Sequence, residues 1–198
     1  MERSIALKGS ASRIAEFFGY ALNSILYQRG VYPPETFSFV PKYGMSMMVA
    51  TREDLSGYIS SILVQLENWI ENEALQRVVL VITSCDTNAV LERWTFVTSN
   101  RSLNRTDEMY EQREESTANT YKEIQAIIRQ ITASVTFLPV LDETCSFEVL
   151  VYTDSVVSVP DKWEESDPLI IANSMAVRLR SFSTSTHKVD ANVAYRQE

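Results

Sequence analysis

Residues 124–139, IQAIIRQITASVTFLP, constrain this chain more than any other stretch. Ile124, Ile127, Ile128, Ile131, Val135 and Leu138 recur at the i, i+3, i+4, i+7 spacing of one helix face, and Pro139 cannot continue the helix. The pattern predicts a core helix. On its opposite side Arg129, Ala133 and Phe137 are spaced by four, with Gln130 beside them. A solvated helix back carries mostly charges, whereas an arginine, an amide, a small residue and a large aromatic make up a composition enriched in protein interfaces. Two readings stay open from pattern alone. Either this is a docking stripe, or Phe137 tucks under the Pro139 turn and Arg129 only solubilises the helix.

A chain of 198 residues with 45% hydrophobic content is long enough for one domain with a core of its own. The 26 acidic and 18 basic side chains give a formal charge of -8, which disfavours binding to a phosphate backbone. No nucleic-acid partner is expected. Cys85 and Cys145 fall in or beside apolar, strand-like runs and read as small buried residues in a reducing compartment. The apolar runs are far shorter than the roughly 20 residues of a membrane span, and MERSIALKGS lacks a secretory apolar region, so the expectation is a soluble intracellular protein without membrane insertion.

Taken in order, Ile5 to Leu7 form a short apolar start and Ser10 or Ser12 offers a helix cap. Ile14, Phe17, Phe18, Ala21, Leu22, Ile25 and Leu26 then mark a first helix, closed by Gly30 and Pro33-Pro34. Phe37 to Val49, with a turn at Gly44, predicts a small hairpin. Thr51 with Asp54 resembles a capping box for a second helix carrying Leu55, Tyr58, Ile59, Ile62, Leu66, Trp69 and Ile70. Gln76 to Thr83 reads as a strand buried on both faces. Val90 to Val97, where Glu92 and Arg93 mix with Trp94 and Phe96, reads as a polar-guarded edge strand. Thr98 to Tyr121, including the acidic stretch Asp107 to Glu115, reads as a surface loop, and Cys145 to Thr153 alternates as a third long strand.

The last 45 residues or so carry the functional argument. Asp154 to Asn173 reads as an extended connector, and the runs around Met175–Leu179 and Val189–Tyr195 read as a hairpin joined through Ser183–Thr186. An isolated hairpin is marginal in water, so it should dock on a sheet edge. A three-stranded sheet has two edges, and a connector of roughly twenty residues at about 3.3 Å each reaches either one. Two docked states are therefore permitted.

Catalytic chemistry is thin. The single histidine, His187, excludes a His-based metal cluster within one chain. Ser183, Ser185 and Asp190 lie near it, so a small Ser/His hydrolase is the remote enzymatic alternative, but no G-x-S-x-G elbow precedes them. Five glycines form neither a dinucleotide fingerprint nor a phosphate loop. No enzyme activity, cofactor or metal is expected.

The run IRQITASVTFLP is similar to the central helix of HORMA-domain proteins, in particular the spindle-assembly-checkpoint branch of that family. The likeness continues through EFFGYALNSILYQRGVYPPETF, VLERWTF, CSFEVLVYTD and VRLRSFSTSTHK. It implies an α+β fold with three helices on a three-stranded antiparallel sheet, plus a mobile C-terminal hairpin called a safety belt. All 198 residues would form one domain, with a core of about 10–153 and a belt of about 154–198. In the open state the hairpin would block the strand Phe147, Glu148, Val149, Leu150, Val151, Tyr152 and Thr153. In the closed state it would move to Val90–Val97, freeing that strand for a peptide. Belt residues implied are Trp163, Arg180, Phe182, His187, Val189, Val193 and Tyr195. An open–closed self-association surface would comprise Arg129, Gln130, Thr136, Phe137, Trp94 and Arg180, and this moves the reading of the central helix toward the docking stripe. Ile5, Leu7 and Lys8 would form an N-terminal handle for a remodeller.

The partners implied are a coiled-coil kinetochore receptor, the coactivator of the anaphase-promoting ubiquitin ligase, a BubR-type kinase or pseudokinase of the mitotic checkpoint complex, a second copy of the chain, a closed-state adaptor and an AAA+ remodeller. Locations implied are the nucleus, kinetochore and interphase nuclear envelope or pore, and the cytoplasm. A meiotic-axis or translesion-synthesis HORMA adaptor is the alternative within the family. The tail after Val193–Arg196 is short, and the sequence leaves open whether this weakens the closed latch.

Overall fold

A computed structural model describes residues 2–100, 112–154 and 157–197, with side chains described from 9 to 100, 118 to 154 and 157 to 197. Three helices pack on one face of an antiparallel sheet. Helix α1, Glu2–Gln28, presents the expected stripe, with Ile14, Phe17, Phe18, Ala21, Leu22, Ile25 and Leu26 all shut off from solvent. It begins far upstream of the expected caps, so Ser10 and Ser12 lie inside it. Ser10 is buried. After Gly30, at a positive φ of 65° that suits a residue without Cβ, a 3-10 turn at Pro34–Thr36 leads to the hairpin β1, Phe37–Lys42, and β2, Met45–Ala50.

Helix α2, Glu53–Glu71, starts after Arg52, whose side chain makes no cap. Instead the Asp54 carboxylate accepts the Leu55 amide, and the Thr51 hydroxyl donates to the Thr36 carbonyl. The capping box is therefore not formed. The α2 stripe is buried except for Tyr58, which is 45% exposed.

Strand β3, Leu75–Ser84, is the sheet's centre, with Val78, Val79, Leu80, Val81 and Ile82 all at 0% exposure. A strand hemmed in on both faces and both edges has no place for a polar side chain, hence the unbroken apolar run. Strand β4, Val90–Asn100, runs beyond the expected Val97. Helix α3, Gln112–Ala133, takes in residues expected to be loop, and a 3-10 turn, Ser134–Thr136, follows it well before Pro139. Asp107, Glu108 and Glu111 lie outside the described residues.

Strand β5, Cys145–Thr153, pairs with β3. Strands β6, Ser174–Ser183, and β7, His187–Arg196, form the expected C-terminal hairpin. The sheet order is β5-β3-β4-β7-β6, so the hairpin has joined at β4 and extended three strands to five. β4 is thereby internal, not an edge. Glu92, expected as a solvent-facing guard, is 1% exposed and paired with the buried Arg29. Leu179, Phe182, Val189 and Val193 enter the core, where the Phe182 ring centroid lies 4.6 Å from that of Phe17, a ring that in turn contacts Phe18 and Phe96. Each such side chain buried is worth ~1.5–3 kcal/mol, which is what docks a hairpin that would be marginal alone.

Both cysteines are free thiols. Cys85 starts the β3–β4 turn and is exposed, against expectation, and Cys145 is half-buried. Burial, with Glu143 next, pushes the Cys145 thiol up, which keeps it protonated and unreactive. No helix among the described residues is long and apolar enough to cross a membrane.

Candidate peptide-binding edge and self-association face

The docked hairpin leaves β5 as an outer strand of the sheet. Which of its backbone groups are free follows from the ladder. In an antiparallel pair a residue turns its N–H and C=O to the same side, and successive residues alternate. The Cys85 N–H donates to the Thr144 carbonyl at 2.8 Å, so Thr144 faces β3. The Ser84 N–H, one residue back, instead donates toward β4, to the Ala89 carbonyl at 2.9 Å. With Ser146 opposite Thr83, Glu148 opposite Val81 and Leu150 opposite Val79, the even-numbered residues bond to β3. Phe147, Val149 and Val151 therefore turn their N–H and C=O groups outward. Only half of the strand Phe147–Thr153 offers hydrogen bonds to a newcomer.

Helix α2 walls this edge. Tyr58 packs edge-on to Phe147 with centroids 5.7 Å apart, and Tyr32 does the same at 6.0 Å. Burial raises the Tyr58 phenol above its ordinary range, Glu148 and Tyr32 add to the shift, and the Val149 backbone N–H opposes it, as an outward-turned amide should. The tyrosine expected in the core is thus at the edge. Sequence periodicity carried no sign of this beyond a hydroxyl among Leu and Ile.

The connector 154–173 forms no helix or strand among its described residues. It leaves β5 at the end where Thr153 faces Leu75 and reaches β6 at the opposite end, where Ser174 faces Arg196. Four strand spacings of about 4.8 Å and a strand of about 30 Å put these corners roughly 35 Å apart. Roughly twenty extended residues reach about 66 Å, so the strap has slack. Its Trp163 packs against Trp69 of α2, centroids 5.0 Å apart and near perpendicular. Asp154, Asp161, Glu164, Glu165 and Asp167 outnumber Lys162 along the strap, and Glu148 is exposed on the strand. The edge, the α2 wall and an acidic strap suit an extended peptide with apolar and basic side chains.

On the far side, α3 meets β6. A bulge in β6 between Arg178 and Ser181 interrupts its pairing with β7, and the Arg180 amide donates to the Gln130 side-chain oxygen at 2.6 Å. The Ser183 amide donates to Glu123 at 2.8 Å, and the Thr120 hydroxyl donates to the Ser183 carbonyl at 2.6 Å. Arg129, Thr136 and Arg180 are exposed, and Phe137 is 41% exposed. Five of the six expected self-association residues thus lie on α3, the turn after it and the facing strand β6, and all but Gln130 are exposed. Trp94 is not among them. At 0% exposure it lies under the sheet's helices and donates its indole N–H to Glu92 at 2.9 Å. Val135, expected in the core, is 46% exposed, while Ser134 is fully buried.

Of the expected belt residues, Phe182, His187, Val189 and Val193 are buried, while Trp163 and Tyr195 are partly exposed. The side chains of Ile5, Leu7 and Lys8 lie outside the described residues. His187 contacts Thr186 through Nδ1, whereas Asp190 pairs with Lys188 and Arg178. No carboxylate orients the imidazole, and its Nε2 has no hydrogen-bond partner among the described residues. A hydrolytic triad is not assembled. No group of three or more His, Cys, Asp or Glu among the described residues could hold a metal.

Among the described residues, a three-stranded core with its own hairpin added at β4, β5 left as an outer strand and a long strap between them is a sheet able to take a further strand. Residues 10–187 match the HORMA domain family. The chain is 48% identical over 195 residues to the human mitotic spindle assembly checkpoint protein MAD2A, covering 98% of this chain and 94% of that one. It is 50% identical to the Dictyostelium discoideum protein of the same description over 194 residues, with the same coverage. A chain in a crystal structure of the mitotic checkpoint complex superposes with a TM-score of 0.88 at 47% identity, covering 96% of this chain and 99% of that one. The chain belongs to the HORMA domain family, within its mitotic spindle checkpoint MAD2 group. Spindle checkpoint signalling is its class of function, and the meiotic-axis, translesion and hydrolase readings are not favoured.

Proposed function

We propose that the protein works by binding alone, as a two-position switch. With the hairpin on β4 it is in the closed arrangement. A short apolar and basic motif adds as a strand to Phe147, Val149 and Val151, and the strap carrying Trp163 closes over it. The motif comes either from a coiled-coil kinetochore receptor or from the coactivator of the anaphase-promoting ubiquitin ligase. Entrapment of the coactivator, together with a BubR-type kinase or pseudokinase, holds the ligase off and delays anaphase. In the open position the same hairpin covers β5 and bars the motif.

Arg129, Gln130, Thr136, Phe137 and Arg180 form the face on which a closed copy pairs with an open one. A closed-state adaptor and an AAA+ remodeller reset the switch by pulling on the N-terminus around Ile5, Leu7 and Lys8. The working locations are the kinetochore, the nucleus, its envelope or pores in interphase, and the cytoplasm. The observation that carries this reading is the sheet order, which puts the hairpin on β4 and, among the described residues, leaves β5 without a strand on its outer side.

Ion-exchange separation of the purified protein tests it. Two interconverting peaks, with a synthetic receptor-motif peptide driving all material into one, are expected. A single peak that ignores both receptor and coactivator peptides would refute the switch.

A further inference from the structure

The tip of the docked hairpin meets α1 through a ring of four polar side chains that strand capture does not use. His187 Nδ1 lies 2.8 Å from Thr186 Oγ1, which lies 2.9 Å from Ser10 Oγ, which lies 2.6 Å from Thr184 Oγ1. Thr184 Oγ1 accepts the His187 amide at 3.1 Å and stands 3.3 Å from the His187 carbonyl oxygen, closing the ring. Ser10, Thr184 and His187 are buried.

The neutral imidazole carries its proton on one of two nitrogens. If Thr186 donates to Nδ1, the proton must sit on Nε2. That atom is buried with no hydrogen-bond partner among the described residues, so the N–H would be orphaned. In the other tautomer Nδ1–H donates to Thr186, and only a lone pair on Nε2 goes unused. Buried orphan donors are rarer and costlier than under-used acceptors, so the proton is on Nδ1.

We propose that this ring is a proton-sensitive latch that fastens the hairpin tip to α1, with His187 neutral and carrying its proton on Nδ1. A further proton has only Nε2 to bind, where it makes a buried cation whose new N–H finds no acceptor among the described residues. Among the described residues, the charged groups around the tip do little to offset it. Glu73, at the turn into β3, favours the cation, but its carboxylate already takes the Asn100 amide at 3.2 Å. On α3, Glu123 is engaged by the Ser183 amide. Lys188 and Asp190 of β7 pair with each other at 2.9 Å. Arg13 lies one turn along α1 from Ser10.

Burial therefore dominates, and it lowers the imidazole pKa below its ordinary 6.5. The released hairpin binds the proton more readily than the docked one. Docking is thus full above about pH 6.5 and weakens as pH falls below it, by up to about tenfold per unit until the lowered value is reached. The latch stands whether or not the β5 edge captures a peptide.

The single histidine makes the test unambiguous. Long-range 1H–15N spectra of the whole protein at neutral pH should show Nδ1 protonated and Nε2 bare, and titration should give an imidazole more acidic than a free one. Exchange of the Thr184 amide, corrected for intrinsic rate, should quicken as pH falls below 6.5, and Ser10→Ala should quicken it about tenfold at neutral pH. Thr186→Val, which removes the imidazole's partner, should abolish the tautomer preference. A proton on Nε2, or an ordinary titration with tip exchange indifferent to pH, overturns the latch.

Discussion

The alternation along β5 makes proline a discriminating probe. Proline removes one N–H and fixes φ, which a sheet tolerates only where that N–H faces outward on an edge strand. Val151 turns its N–H outward, so Val151→Pro leaves the β3 ladder intact and keeps a side chain of similar bulk at a half-buried position. Folding stability should fall by no more than about 1–2 kcal/mol, from the backbone adjustment alone. Peptide capture, by contrast, loses one intermolecular bond of about 0.5–1.5 kcal/mol and leaves the peptide's carbonyl facing a proline. With about 1–3 kcal/mol for that orphaned group, affinity should drop by roughly tenfold to about a thousandfold.

Leu150→Pro, one residue away, does the reverse. It removes the N–H opposite Val79, a residue at 0% exposure in the central strand, and strands a carbonyl where no water reaches. The loss should be ~3 kcal/mol or more. Urea melts give the stabilities, and anisotropy of a labelled receptor-motif peptide gives the affinities. Equal destabilisation at 150 and 151, or a Val151→Pro protein that binds normally, would refute the assignment of outward-facing groups.

Other consequences follow from the same structure. Arg29→Met leaves the Glu92 carboxylate, at 1% exposure, with the Trp94 indole N–H but no cation, and removes a donor from the Pro139 carbonyl, so chemical denaturation should show a loss of ~3–5 kcal/mol. Trp163→Ala removes the strap's contact with Trp69, and surface-captured peptide should dissociate roughly tenfold faster with little change in association. Phe137→Ala truncates an exposed aromatic, so sedimentation should show weakened self-association while peptide affinity stays as it was.

The sequence already carried the long periodic elements. The stripes of α1 and α3 and the β-branched run of β3 record burial directly, because a side chain on a repeating face has one environment. Val135 broke the pattern because the helix tightens to a 3-10 turn at Ser134, and at about 3 residues per turn the next position swings outward. Glu92 read as a solvent guard because its partner, Arg29, lies 63 residues earlier. Ser10 read as a cap because its partners are 174 and 176 residues later, in the hairpin tip. Tyr58 fell in the core stripe because periodicity locates a face but not where the covering sheet stops. The two sheet edges were legible from strand count and connector length, but the edge taken by the hairpin was not, since both dockings satisfy the same alternation.

Residue-resolved hydrogen exchange along β5 puts that choice of edge to the most direct test. In the free protein the Phe147 and Val151 amides should exchange fast, while those of Glu148 and Leu150, bonded to β3, are protected. Added receptor-motif peptide should slow the first pair and leave the second unchanged. Phe147 and Val151 amides already protected without peptide, or unaffected by saturating peptide, would mean that the hairpin does not leave this edge free for capture.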